Sequence, residues 1–105
     1  MKENKVKILD MIRTTVHTVA PDAKIILFGS QARGDAKTES DWDILILLDR
    51  SADSRFEYFK ITDPLYDLGW LTNNHFSAIV YSKPEWEKRK FTPFYKSIEK
   101  EGIVL

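Results

Sequence analysis

Hydrophobic residues recur every three or four positions near the start of the chain. The apolar positions between residues 5 and 19 are Val6, Ile8, Leu9, Ile12, Val16 and Val19. This spacing is typical of one face of an amphipathic helix. Because proline cannot continue the helical hydrogen-bond ladder, the pattern predicts a first helix that ends before Pro21.

Three short apolar runs predict the strands of a sheet. They cover residues 24–28, 44–48 and 76–81, and each is too short to span a membrane. Gly29-Ser30 closes the first run, and Ser30 is predicted to cap a short helix that reaches Arg33. Asp41-Trp42-Asp43 opens the second run.

A second long segment, residues 53–70, has a roughly helical period. Its apolar members are Phe56, Phe59, Leu65 and Leu68. Pro64 falls inside it and is predicted to kink or restart the helix, since its ring removes one backbone donor.

The last third of the chain contains signals for two shorter helices. Pro84 is placed at the start of a helix over residues 85–90, and Thr92-Pro93 begins another that Gly102 ends. The apolar tail of residues 103–105 follows without a predicted structure.

This order of elements predicts an α+β fold, a small mixed β-sheet of three or more strands with helices packed on it. At 105 residues the chain, 1–105, is expected to form a single domain. The aromatic residues expected mainly in the core are Phe56, Tyr58, Phe59, Tyr66, Trp70, Phe76, Trp86, Phe91, Phe94 and Tyr95. Alternatively, the side chains of Trp86, Phe94 and Tyr95 form a surface that contacts a partner.

Charge and cysteine usage narrow the function classes. Lys plus Arg total 16 and Asp plus Glu total 16, so no global field attracts nucleic acid, and neither a nucleic-acid nor a membrane partner is expected. The absence of cysteine excludes disulfides and thiolate metal sites. Without a secretory leader pattern, the cytoplasm is the expected location.

Two motifs carry candidate chemistry. Gly29-Ser30 lies between a predicted strand and a predicted helix, where a backbone without Cβ crowding, a hydroxyl and helical N–H groups suit phosphate. Asp41 and Asp43 are two apart, so in an extended strand they project from the same face. At ~4 Å and an effective dielectric near 20, their repulsion is on the order of 4 kcal/mol, which Mg²⁺ or Mn²⁺ would relieve.

The motif Leu27-Phe28-Gly29-Ser30-Gln31-Ala32-Arg33-Gly34, followed by Ser40-Asp41-Trp42-Asp43, resembles the minimal nucleotidyltransferases of the DNA polymerase beta-like superfamily. The resemblance implies the nucleotidyltransferase fold. It also implies that Gly29, Ser30, Arg33 and Ser40 bind the nucleotide, and that Asp41 and Asp43 are catalytic and hold the metals.

By the same resemblance, the chain transfers a nucleoside monophosphate to a hydroxyl acceptor, in the presence of Mg²⁺ or Mn²⁺. AMP from ATP is the expected case, with another NTP as the alternative. The acceptor hydroxyl is expected on a protein or a small molecule. The expected partner is a helical HEPN-type protein, as in toxin–antitoxin pairs, or another copy of the chain in a homo-oligomer.

One departure from the family pattern concerns a third carboxylate, which active members usually carry on the next core strand. Ser77 matches that position and is not a base at neutral pH. The alternatives are His75, Asp67 or Asp63 as a substitute base, or a catalytically impaired antitoxin-like module that only binds the nucleotide. The alternative for Arg33 is a surface residue in a local ion pair, and the alternative for Ser30 is a helix cap alone.

Overall fold

Helices and strands follow one another closely along the chain. The structure is a computed structural model that describes residues 2–37, 40–50 and 55–105. The elements, in chain order, are α1 Lys2–Val19, β1 Lys24–Phe28, α2 Ser30–Arg33, β2 Trp42–Leu48, α3 Arg55–Thr72, β3 Phe76–Ser82, α4 Lys83–Glu87, α5 Pro93–Glu101 and β4 Ile103–Val104.

The four strands form one mixed sheet in the order β3-β2-β1-β4. β1 is antiparallel to β2 and to β4, whereas β2 and β3 are parallel. The predicted α+β class, with a small mixed sheet and packed helices, is therefore confirmed. The apolar tail that carried no prediction supplies the fourth strand at the β1 edge.

Alternation along β2 separates two hydrophobic clusters. Ile44 and Ile46 pack with residues of α1 and α3 in one cluster. Leu45 and Leu47 pack with Trp86 of α4 and Ile98 of α5 in the other. Because successive strand side chains point to opposite faces, Asp43 belongs to the face that carries α4 and α5.

The helix α3 differs from its prediction in two ways. It runs through Pro64 rather than restarting there; its predicted start at Asp53 lies outside the described residues. The aromatic residues of its outer face are exposed rather than in the core, namely Phe56, Phe59, Tyr66 and Trp70. The buried face consists of smaller side chains such as Ile61 and Leu65, whereas Phe76 and Trp86 are buried as predicted.

The helix α4 has Pro84 in its first turn, as predicted, but it begins at Lys83 and ends at Glu87 rather than at residue 90. Its start is set by a capping box: Ser82 Oγ accepts from the Glu85 N–H at 3.2 Å, and Glu85 Oε1 accepts from the Ser82 N–H at 3.3 Å. Such a reciprocal pair satisfies two backbone N–H groups that the helix start would otherwise leave without a partner. Among the described residues, no helix is both long enough and apolar enough to cross a membrane.

Candidate active site at the Gly29 bend

The bend after β1 depends on the absence of a side chain at Gly29. Its φ of 73° and ψ of −157° lie in a region that only glycine occupies readily. Gly29 is the N-cap of α2 and makes no side-chain capping bond, so the prediction that Ser30 caps the helix is wrong. Ser30 is instead the first residue of α2, with its backbone O accepting from the Gly34 N–H at 3.0 Å.

The Gly29 bend lies directly against the carboxylate of Asp43. Phe28 and Asp43 are opposite residues in the antiparallel pairing of β1 and β2. A Cβ at Gly29 would overlap Asp43 Oδ2. The two motifs that the sequence separates by a loop are therefore in contact, one presenting bare backbone and the other a carboxylate oxygen.

Asp41 and Asp43 influence each other electrostatically. Burial, followed by the nearby Asp41, raises the pKa of the Asp43 carboxyl above its ordinary value, and Arg33 and His75 partly offset that rise. Asp43 is half-buried, whereas Asp41 is exposed. Repulsion between the two acids is the situation that a bound cation relieves.

A histidine contacts the outer of the two acids. His75 Nδ1 lies 2.8 Å from Asp41 Oδ1. The two residues immediately precede β2 and β3, which start in register with Trp42 opposite Phe76. The parallel pairing of the strands therefore sets Asp41 beside His75.

Arg33 and Ser40 have partners within the chain. The Arg33 guanidinium donates to Asp35 Oδ2 at 3.2 Å and to Glu101 Oε2 at 3.4 Å, and these two acids raise its pKa. Its charge still reaches Asp43, whose pKa it lowers. Ser40 Oγ accepts from the Lys37 N–H at 2.7 Å, a bond within the loop before β2.

The position expected for a third carboxylate is occupied by Ser77, which lies opposite Asp43 on β3. Asp63 and Asp67 are exposed on α3 and are absent from the charges that perturb Asp43. Over the described part of the chain, no cluster of three or more His, Cys, Asp or Glu side chains is arranged to hold a metal ion.

Comparison with known proteins assigns the chain to a family. The family described as nucleotidyltransferase domain matches residues 9–105. The chain belongs to the nucleotidyltransferase domain family. A Methanocaldococcus jannaschii protein, whose name proposes a protein adenylyltransferase, is 42% identical over 84 residues that cover 78% of this chain and 76% of that protein.

Two solved structures share the nucleotidyltransferase fold. The crystal structure of a toxin–antitoxin with AMP-PNP has a TM-score of 0.62 and 19% identity, covering 96% of this chain and 71% of that chain. A proposed nucleotidyltransferase from Sulfolobus solfataricus has a TM-score of 0.61 and 20% identity, covering 97% of this chain and 82% of that chain. At these identities the similarity establishes the fold alone.

The residues of this nucleotidyltransferase domain fit a divalent cation. Asp41 and Asp43 offer hard carboxylate oxygens, the ligand type that Mg²⁺ and Mn²⁺ prefer, and because Gly29 has no Cβ, Asp43 Oδ2 lies directly against the bend. The contact between His75 and Asp41 was not predicted. Its signal was the parallel register, which becomes visible only once the strand order is known.

Proposed function

We propose that this chain is a metal-dependent nucleotidyltransferase that transfers a nucleoside monophosphate, AMP from ATP, to a hydroxyl acceptor. The observation that carries the proposal is the contact of the Gly29 bend with Asp43. A polyphosphate on the bare backbone of the bend would lie beside a carboxylate that can hold its counter-ion. Asp41, two positions earlier in the chain, adds the second acid.

Each residue of the site has a separate role in this proposal. Gly29 and Ser30 bind the phosphates by close backbone approach and a hydroxyl, and Arg33 supplies positive charge nearby. Ser40, in the loop that precedes β2, is the remaining residue proposed to bind the nucleotide. Asp41 and Asp43 would hold Mg²⁺ or Mn²⁺, which when bound neutralises phosphate charge and orients the reacting groups.

The reaction is an in-line displacement at the α-phosphorus. The acceptor hydroxyl oxygen forms a new P–O bond, the bond from the α-phosphorus to the bridging oxygen breaks, and pyrophosphate leaves. The hydroxyl proton passes to solvent. Binding both reactants in one orientation supplies much of the rate enhancement in such a reaction.

Two comparisons support ATP as the nucleotide and a protein as the acceptor. The name of the Methanocaldococcus jannaschii relative proposes a protein adenylyltransferase, and the toxin–antitoxin neighbour was solved with an ATP analogue. We extend both to this chain and propose a helical HEPN-type protein as the partner that carries the hydroxyl. The cytoplasm is the compartment in which we expect the pair.

A second candidate function is an antitoxin-like module that binds ATP with metal but turns it over slowly. The observation that favours it is Ser77, which faces the same side as Asp43 and supplies no carboxylate. Both candidates require metal-dependent ATP binding. They differ in whether the bound nucleotide is transferred.

The proposal is tested by binding and transfer in one series of proteins. Calorimetry measures ATP binding with and without Mg²⁺, and α-labelled ATP measures transfer to the product of the neighbouring gene. We expect Asp43→Asn to abolish metal-dependent binding. Asp49→Asn is the matched control, because Asp49 directly follows β2 at its other end and pairs there with Lys83.

Three outcomes separate the candidates. Label transferred by the wild type and by Asp49→Asn, but not by Asp43→Asn, supports the enzyme. Metal-dependent binding without transfer supports the module. A wild type whose ATP affinity is the same with and without Mg²⁺ refutes both.

A further inference from the structure

The carboxylate of Asp41 is held by a neighbouring imidazole. His75 Nδ1 lies 2.8 Å from Asp41 Oδ1, an ion-pair contact between an imidazole nitrogen and a carboxylate oxygen. We propose that His75 is a positioning residue: its contact with Oδ1 restrains the Asp41 carboxylate, which would hold the divalent cation. This inference rests on the proposed function, since it concerns the same cation.

The loop that presents His75 is fixed by backbone contacts. The His75 carbonyl accepts from the Trp42 N–H at 2.9 Å, where the β2/β3 ladder begins. The preceding Asn74 is held from two sides: its N–H donates to the Gly69 carbonyl at 2.9 Å, and its Oδ1 accepts from the Trp42 indole at 3.3 Å. The histidine therefore has a defined place relative to the start of β2.

Two residues allow this loop to approach so closely. A Cβ at Gly69 would lie 2.7 Å from the Asn74 carbonyl oxygen, so the close approach requires glycine. Asn73, which directly follows α3, has a φ of 55°, a left-handed conformation that asparagine tolerates better than most residues. The conformation of the turn between α3 and β3 therefore places His75 beside the start of β2.

The ion pair itself is a poor source of stability. The side chains of His75 and Asp41 are 74% and 51% exposed, and pairs this exposed to solvent contribute little to folding. Outer partners of metal ligands behave differently, because they orient the ligand. Their loss typically weakens metal affinity by about 10- to 100-fold.

The remaining groups near the pair do not substitute for His75. Asp43 carries the same charge as Asp41 and cannot donate to it. Arg33 is engaged with Asp35 and Glu101. Ser77 shares the strand face of His75 but lies in register with Asp43 rather than with Asp41. Among the described residues, His75 is the group that forms an ion-pair contact with Asp41.

The test measures Mn²⁺ affinity directly, by electron paramagnetic resonance, in the presence of a nonhydrolysable ATP analogue. We expect His75→Ala to weaken Mn²⁺ binding by about tenfold or more. His75→Asn, which can place an amide N–H near the position of Nδ1, should recover most of the affinity. All variants should keep the melting temperature of the wild type within a few degrees, because the pair is exposed.

Lys83→Ala is the matched control. Lys83 and Asp49 form an exposed ion pair at the opposite end of the same two strands, at 2.6 Å, so this variant removes an equivalent contact away from the site. Mn²⁺ affinity within twofold of the wild type in His75→Ala overturns the inference, as does equal weakening in Lys83→Ala. A wild type that binds no Mn²⁺ with the analogue refutes the proposed function itself.

Discussion

Asp43 on β2 and Ser77 on β3 lie opposite one another in the parallel pairing of the two strands. Both residues are half-buried and share one face of the sheet. A side chain at position 77 is therefore a neighbour of Asp43. In this chain that neighbour is a hydroxyl, at the place where resemblance to active nucleotidyltransferases implies a carboxylate.

Substitution Ser77→Asp should raise the rate of label transfer from ATP by tenfold or more. The new carboxylate would lie beside Asp43 and could take the proton of the attacking hydroxyl. General base catalysis of this kind typically increases the rate about 10²- to 10⁴-fold. The initial rate at saturating Mg²⁺ measures the effect. Ser77→Asn, of similar size and without charge, is the control. If Ser77→Asp transfers label no faster than Ser77→Asn, the absence of a carboxylate at position 77 does not limit the rate of transfer.

Substitution Gly29→Ala should destabilise the fold by about 3 kcal/mol and abolish nucleotide binding. Its φ and ψ lie in a region that costs a non-glycine residue about 1–3 kcal/mol, and the added Cβ would collide with Asp43. Gly34→Ala is the control: its φ is also positive, at 85°, but its Cβ meets nothing within 4 Å. The Gly34→Ala variant should lose roughly 1–2 kcal/mol of unfolding free energy and should still bind ATP. Urea unfolding and calorimetry distinguish the two variants, and unimpaired ATP binding by Gly29→Ala would contradict the site.

The sequence was sufficient to predict three of the four strands, β1, β2 and β3, because burial determines which residues form them. In β1, Ile25, Ile26 and Leu27 are all buried, and such continuous apolar runs are typical of strands covered on both faces. The first helix was predictable from the spacing of Ile12 and Val16, which are fully buried. These elements depend on local patterns that tertiary contacts reinforce.

Other features depend on contacts that no local pattern contains. β4 has two exposed residues, Ile103 and Val104, and exists because it pairs with β1. The aromatic residues of α3 are hydrophobic, yet Trp70 is 90% exposed, since the helix buries its other face. An apolar residue on a helix does not reveal which side faces the core.

The candidate site was predictable in its parts but not in its geometry. Period two predicts Asp41 and Asp43 on one side of a strand; in the structure β2 begins at Trp42, so Asp43 lies on the strand and Asp41 immediately before it. The Gly29 turn was expected. The prediction that Ser30 caps α2 failed because the bend uses the glycine itself as the N-cap. The partner of Asp41 required the register between β2 and β3, which joins residues more than thirty positions apart in the sequence.

Substitution Arg33→Gln should weaken ATP binding by about tenfold, the order expected for one charge-assisted hydrogen bond. The guanidinium charge reaches Asp43, so it lies within electrostatic range of the proposed phosphate position. Arg50→Gln is the control, because Arg50 is also exposed and forms an ion pair, with Glu57 at 2.8 Å. Calorimetry at constant ionic strength measures both affinities. Equal affinities for Arg33→Gln and the wild type would assign Arg33 to its ion pairs with Asp35 and Glu101 alone.

Substitution Asp43→Asn should raise the melting temperature at neutral pH in the absence of metal. Burial, and then the charge of Asp41, raise the pKa of Asp43 in the folded protein, so the folded state binds this proton more readily than the unfolded state does. Stability is therefore lost as the pH rises from the unfolded value, about 3.9, through the raised folded pKa, and the whole cost remains at pH 7.

The neutral amide of Asp43→Asn removes the destabilisation caused by the charged carboxylate. The rise in melting temperature should therefore disappear below pH ~3.5, where the aspartate is protonated in both the folded and the unfolded state. Mg²⁺ with ATP should reverse the order of the two proteins, because a ligand that binds the native state stabilises it and only the wild type retains the carboxylate that holds the ion. Melting curves at several pH values, with EDTA or with Mg²⁺ and ATP, measure both effects. The opposite result would be a higher melting temperature for the wild type than for Asp43→Asn in EDTA at pH 7. It would mean that the protein alone stabilises the charged Asp43 carboxylate, without a cation.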